Sequence, residues 1–372
     1  MNAKIISLVA VIVLFSGVFV AVASDASQGA NPTTITDGTG KTFTYSEPTQ
    51  HIVTMGYAST LTVAMLGEID KIVATDTYST YSYTNDPRLA DLSAANLGSM
   101  YSSANNSTIV TTLVQMVGDG KLSLNDTIVL TSYSNAVTLR DGPDGLAEKG
   151  FTHVLIYGIP SSPITSYTQI VNFVKDMSII VTGSISPIVD NMGATKTAVD
   201  EGLANTTEKT PALFVWYNQS SGFSVGNTGS IAVSLIDAAG GVNIAYDQSN
   251  SATTYGNEST IVQLMADNPN TVIFLQDTYI KGGKTVSDFR QDVLGGEESI
   301  KIVVVNSNWN NYDPDAADGL IAFASALHPD QFGGNDDTGD GSSSSNLALY
   351  AVAGIIAVIV ILGCAYFFMR IP

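Results

Sequence analysis

Short runs of β-branched and aliphatic residues recur along the chain. Ile52-Val53-Thr54-Met55, Lys71-Ile72-Val73-Ala74, Thr127-Ile128-Val129-Leu130 and His153-Val154-Leu155-Ile156-Tyr157 come first. Ala212-Leu213-Phe214-Val215-Trp216, Thr271-Val272-Ile273-Phe274-Leu275 and Ile302-Val303-Val304-Val305 follow later. Helix-compatible segments lie between them: Thr60–Leu66, Thr108–Val117, Ser230–Ala239 and a last one from about Ala316 to Leu327. Unbroken apolar strands alternating with helices predict mainly parallel sheets covered on both faces. Thr42 to Tyr45 reads as one strand of a short hairpin, and the residues after Trp216 as a Gly/Ser loop. Residues 165–205 have a different period. Ile170, Phe173, Val174, Met177, Ile180 and Val181, then Ile188, Met192, Ala198, Val199 and Leu203, repeat at three-to-four spacing. Gly183 to Pro187 interrupts them, which predicts two helices or one sharply kinked helix.

Two stretches have no polar alternation. Residues 347–369 form one apolar run, closed by Arg370 and preceded by GGNDDTGDGSSSSN. At helical rise such a run crosses a bilayer core of about 30 Å. The lone arginine at its far end favours a cytoplasmic C-terminus, with the rest of the protein outside the cell. At the other end, Lys4, the apolar stretch Ile5 to Val22 and Ala21-Val22-Ala23 read as a cleaved signal peptide. The expected organisation is therefore a signal peptide (1–24), a flexible lead-in (25–34) and an N-terminal α/β lobe (35–164). A helical connector (165–208), a C-terminal α/β lobe (209–332), an acidic, Ser-rich tether (333–346) and a transmembrane helix (347–369) follow. The fold class is α/β: two Rossmann-like lobes, a long helical connector and a C-terminal membrane helix.

Charge and cysteine usage narrow the functions. The 372 residues include 34 acidic and 15 basic ones, a net charge of −19, which argues against nucleic acid as a partner. The single cysteine, Cys364, falls in the apolar run, so no disulfide framework exists and no cysteine follows the leader to carry a lipid. A C-terminal helix replacing a lipid anchor points to an archaeon or another organism with one membrane. His51, His153 and His328 have no metal-ligand spacing and read as structural, so neither a resident metal nor another cofactor is expected.

Several segments resemble the periplasmic-binding family that serves iron-chelate, haem and cobalamin ABC importers. ITDGTGKTFTYSEPTQHIVTMGYASTLTVAMLGEIDKIVATD is similar to the opening of its first lobe. FSVGNTGSIAVSLIDAAGGVNIA and NPNTVIFLQD are similar to elements of the second, and NSNWNNYDPDAADGLIAFASALHPDQF to the closing helix. The matches span most of residues 35–332, interrupted by an insertion-like VGDGKLSLND at 117–126. The resemblance implies a monomeric binding protein, without catalysis of its own, that captures a corrinoid, haem or an iron chelate between two lobes and docks on an ABC permease. It also implies one docking carboxylate per lobe. Glu258 stands at the second-lobe position, whereas the first-lobe stretch Asn105-Asn106-Ser107 has none.

Ligands of α/β sheets bind where loops leave the carboxyl ends of the strands. Aromatic residues crowd those places, and Tyr57, Tyr101, Trp216, Trp309 and Tyr279 are the candidate ligand residues, suited to a large planar or macrocyclic ligand. Cations there are few: Arg88, Arg140, Lys281 and Lys284. That scarcity favours a corrinoid or a weakly charged chelate over a polyanionic one. A different class is open through Gly222-Phe223-Ser224-Val225-Gly226, a G-x-S-x-G whose Ser224, with Asp277 and His328, follows the chain order of an exported α/β serine hydrolase. A surface adhesin outside transport is a third reading, compatible with the tether and the acidity.

Overall fold

The computed structural model describes residues 32–332, apart from Met100, Tyr133 and 246–253. The leader, the tether and the apolar run 347–369 lie outside the described residues. Among those described, no helix is long and apolar enough to cross a membrane.

The described chain opens with an antiparallel hairpin, β1 (Thr33–Thr36) and β2 (Thr42–Tyr45). Its turn is organised by Asp37, which accepts the backbone N–H groups of Thr39 at 2.8 Å and Lys41 at 3.0 Å. The other Asp37 oxygen accepts from Ile156 N at 3.1 Å and from the Arg140 guanidinium at 2.6 Å. This buried carboxylate thus fastens the hairpin to the first lobe.

Five parallel strands follow: β3 (Ile52–Met55), β4 (Ile72–Thr75), β5 (Ala95–Asn96), β6 (Thr127–Thr131) and β7 (His153–Tyr157), in the spatial order β5-β4-β3-β6-β7. This is the 3-2-1-4-5 order of a nucleotide-binding half, and the order reverses between β3 and β6. Every residue of β3 and β6 is buried, as the unbroken apolar runs require of a sheet covered on both sides. The second sheet contains β8 (Thr210–Asn218), β9 (Gly222–Gly226), β10 (Gly241–Asn243), β11 (Thr254–Tyr255), β12 (Val272–Gln276) and β13 (Ile302–Val305). β10 and β12 flank β8 in parallel, and β13 continues beside β12. β9 runs antiparallel along the outer half of β8, and β11 pairs antiparallel with β9 at the sheet edge. The stretch expected as a Gly/Ser loop therefore contains a strand. Phe223 and Val225 point into the core while Ser224 alternates outward, a period of two too short to stand out among glycines.

Between the sheets run two helices, Tyr167–Thr182 and Pro187–Leu203. Ser166 caps the first and Gly183, at φ 77°, ends it; Ser186 caps the second with Pro187 in its first turn. The first buries Ile170, Phe173, Val174, Met177, Ile180 and Val181, the stripe expected from spacing. Their environment is a single core. Ile52, Val129 and Leu155 of the first sheet, these helical residues, and Phe214, Phe274 and Phe323 of the second lobe belong to one contiguous cluster. Two smaller clusters fill the outer faces, one around Val53, Ile128 and Ile156, the other around Leu213, Ile273 and Phe289. Each fully buried large side chain contributes about 1.5–3 kcal/mol, so the shared cluster ties the sheets to the helices far more strongly than any surface contact.

Candidate functional site

At the first sheet's reversal point, β3 passes into the helix Tyr57–Met65 through Gly56, whose φ is 114°. A Cβ there would lie 2.0 Å from Thr131 Oγ1, so the close approach of β3 and β6 requires glycine. Gly56 N donates to Asp76 Oδ1 at 2.9 Å. Asp76, at the end of β4, also accepts from Tyr78 N at 3.0 Å and from the Ser79 hydroxyl. Burial holds the Asp76 carboxyl above its usual range in spite of those donors. This one side chain joins the two loops that carry the first-lobe tyrosines.

Tyr57 opens its helix half-buried, and its hydroxyl donates to Asp86 Oδ2 at 2.6 Å. Burial, then the Asp86 carboxylate, drives the Tyr57 phenol far above its ordinary value. Asp86 in turn holds Arg88, through Nε at 2.9 Å and Nη2 at 2.7 Å. Burial pushes the Asp86 carboxyl up, but hydrogen bonds from Arg88 and Tyr57 prevail and pull it down to about 2. Arg88 then crosses between the lobes. Its Nη1 and Nη2 meet Asp315 Oδ1 and Oδ2 at 2.7 and 2.9 Å, a bidentate pair between residues 227 positions apart.

A second bridge lies beside it. The Tyr312 hydroxyl pairs with the Ser132 hydroxyl, and its ring packs on Phe173 of the connector at 5.3 Å. Gly158, at φ 61°, makes room: a Cβ would fall 2.7 Å from the Tyr312 hydroxyl. Asp313 is fully buried next to Asp315. One of its oxygens accepts from Asp315 N at 2.9 Å, and the other has no hydrogen-bond partner among the described residues. Burial, then the Asp315 charge, holds the Asp313 carboxyl well above the usual range. The seam between the lobes is thus polar, and it touches two of the candidate aromatic positions: Tyr57 bonds Asp86 directly, and Asn308, beside Trp309, reaches the same carboxylate.

The aromatic candidates fall into three situations. Tyr101 is 59 % exposed, its ring edge-on to Tyr78 at 5.0 Å, while Tyr83 meets the other side of Tyr78 at 4.9 Å. Trp309 is half-buried on the turn Ser307–Asn310, capped by Asn306, with Gly319 beneath it and Phe323 at 6.1 Å. Trp216 is half-buried, edge-on to Phe214 at 5.6 Å. Tyr279 does not belong with them. It is only 2 % exposed and packs among Tyr217, Phe223 and Phe289, inside its own lobe. The short helix Thr278–Lys281 turns that ring back onto the outer core instead of out from the strand end. The second sheet's reversal point, between β8 and β12, instead opens on a shallow cavity of about 460 Å³ lined by Tyr217, Asn218, Gln219, Ser220, Thr278 and Lys281.

The other candidates have local roles. Arg140, 4 % exposed, is spent on Asp37 and Asp141. Lys281 pairs with Asp277 at 2.8 Å and Lys284 with Asp292 at 3.5 Å. His51 bonds Asp126, His153 packs at a tilt against the Tyr45 ring, and His328 meets the Gly240 carbonyl. Among the described residues no cluster of His, Cys, Asp or Glu is arranged to hold a metal ion. Glu258 is exposed in the first turn of the helix Glu258–Asp267, whose N-cap is Asn257. Ser224 lies within β9 and pairs across to Trp216, not on a strand-to-helix elbow. Asp277 accepts from Ser307 N, and His328 is committed to Gly240, so the hydrolase constellation is not assembled.

No protein-family model matches the sequence, and no curated protein matches it. Solved structures do. The periplasmic vitamin B12 binding protein BtuF of Vibrio cholerae aligns at 15 % identity and TM-score 0.54, covering 76 % of this chain and 98 % of its own. CeuE of Helicobacter pylori, solved with Ni(II) bound, aligns at 13 % identity and TM-score 0.54, covering 82 % and 91 %. The heme-binding protein HmuT aligns at 16 % identity and TM-score 0.51, covering 82 % and 93 %. The chain has the two-lobed α/β fold of these binding proteins.

Proposed function

We propose that this two-lobed chain is the extracytoplasmic, membrane-tethered substrate-binding protein of an ABC importer. It captures a corrinoid, haem or iron chelate at the mouth between the lobes and presents it to a permease, with no chemistry of its own. The observation that supports this reading is the pair of sheet-reversal points, with Tyr57 just past the end of β3 and Trp216 in β8 just past its last residue paired with β12. Such ends are where open α/β sheets take ligands. The structures that share the fold have names that fit: one binds vitamin B12, another heme. Tyr57, Tyr101, Trp216 and Trp309 would wall the site, the half-buried rings supplying apolar area and the exposed Tyr101 adapting to the ligand's rim. Glu258, free on the second-lobe surface, would meet a permease cation. The run 347–369 would anchor the assembly, and its tether would keep captured ligand near the permease at high effective concentration.

Trp216 and Trp309 are the only tryptophans, so intrinsic fluorescence reports on the proposed wall. Titration with cyanocobalamin, haem and a neutral ferric hydroxamate should give one saturable, stoichiometric change, weakened in Trp309→Ala. No response to any of them would overturn the reading.

A further inference from the structure

Among the described residues, Arg88 is the cation that bridges the lobes near the proposed wall, and it is not free. Its guanidinium lies between Asp86, which also accepts the Tyr57 hydroxyl, and Asp315 of the opposite lobe. Asn308, adjacent to Trp309, reaches the same Asp86 oxygen at 3.5 Å. The Arg88 side chain remains 34 % exposed, so the seam group that reads charge also faces the solvent a ligand would displace. One positive charge here meets two carboxylates, and Asp313 and Asp318 stand within the same few residues. Burial holds both of those carboxyls above their usual range, yet even with their protons on, the seam carries a net negative charge. The remaining candidate cations, Arg140, Lys281 and Lys284, are likewise each paired with a carboxylate of the protein.

We propose that Asp315 and Asp86 are specificity determinants. By clamping Arg88 between them they leave the mouth of the cleft without an available cation, so the protein accepts a neutral or cationic ligand and rejects a polyanionic one. The inference rests on the ligand-capture reading above and sharpens it: a ferric trihydroxamate or a corrinoid is taken, a ferric triscatecholate trianion is refused. The physical basis is ordinary Coulomb repulsion at a partly buried site, where one unit charge a few ångströms away changes affinity for a trianion by about tenfold or more.

The test uses the full chain in detergent micelles and three probes: a neutral ferric trihydroxamate, cyanocobalamin and a ferric triscatecholate. Wild type should bind at least one neutral probe about tenfold or more tighter than the trianion. Asp315→Asn should tighten trianion binding by about tenfold and leave the neutral probe within about twofold. Arg88→Gln should weaken the trianion further. A salt titration on the wild type needs no variant: trianion affinity should rise with ionic strength as repulsion is screened, and neutral-probe affinity should not move. Neutral binding that persists while Asp315→Asn leaves the preference unchanged, or a wild type that prefers the trianion, overturns the inference and spares the capture reading. A wild type that binds none of the three, and haem neither, overturns both.

Discussion

Replacing Asp37 tests how the amino-terminal hairpin is held. Its carboxylate has five donors within hydrogen-bond distance: Thr39 N, Thr39 Oγ1, Lys41 N, Ile156 N and Arg140 Nη1. Asp37→Ala removes every acceptor at once and leaves a 4 % exposed guanidinium with only Asp141, Thr39 and a backbone carbonyl. Removing one partner of a buried pair costs about 3–5 kcal/mol, and buried donors left without an acceptor add about 1–3 kcal/mol each before the turn relaxes. Because the turn lies near the surface and water can replace some of these acceptors, a net loss of about 4 kcal/mol is expected. For a chain of this size that is roughly a 10 °C fall in Tm. Asp37→Asn retains an oxygen for the turn and should cost about half as much. Arg140→Met should also fall below Asp37→Ala, because Asp37 keeps its backbone donors. Thermal melts followed by circular dichroism, with a urea titration for the free energies, decide it. A loss under about 1 kcal/mol for Asp37→Ala, or Asn as costly as Ala, would refute the argument.

Three further outcomes are expected. Gly56→Ala places a Cβ against Thr131 Oγ1 at 2.0 Å in a left-handed conformation, and should lower stability by more than about 3 kcal/mol; urea midpoints measure it. Asp176 is raised to about 6 by burial, which outweighs the hydrogen bond donated by Tyr157. A carboxyl raised in the fold stabilises fully below the unfolded value near 3.8, and that contribution is lost as pH rises through about 6. Asp176→Asn should therefore flatten the stability profile between those values by up to about 3 kcal/mol, and an unchanged slope in pH-dependent melts would count against it. Tyr312→Phe, which deletes the hydroxyl paired with Ser132, should cost about 1 kcal/mol in the same urea assay and leave the neutral-ligand affinity unaltered.

The parts of this fold that were legible in the chain are those where burial alone dictates residue type. β3, β7 and β13 have the bounds their apolar runs imply, and so does the closing helix Ala316–Leu327. Gly183, Ser186 and Pro187 mark the break between the two connector helices through backbone chemistry that needs no partner. What could not be read depends on distant residues. β9 is a strand because β8 offers it an edge, and its five residues look like any Gly/Ser turn. Tyr279 follows a strand as Tyr57 does, but only the packing of Phe223 and Phe289 determines that it turns inward. Arg88 was visible as a sparse cation, yet nothing local reveals that a carboxylate 227 positions later will neutralise it. Asp76 carries the quietest signal: an acid at the end of an apolar strand is a plausible anchor for neighbouring amides, a role its loop position alone does not disclose.

The core that runs unbroken from Ile52 through Phe173 to Phe323 has a mechanical meaning. Pulling the halves apart would wet the hydrophobic flanks of both at once, so the two sheets and the helices between them behave as one solid body. Under the capture reading proposed above, cargo lodging at the mouth between the lobes would hardly alter that body's outline. On that reading, a permease that distinguishes loaded from empty would have to feel the chemistry exposed at the rim, since there would be little change of shape for it to sense.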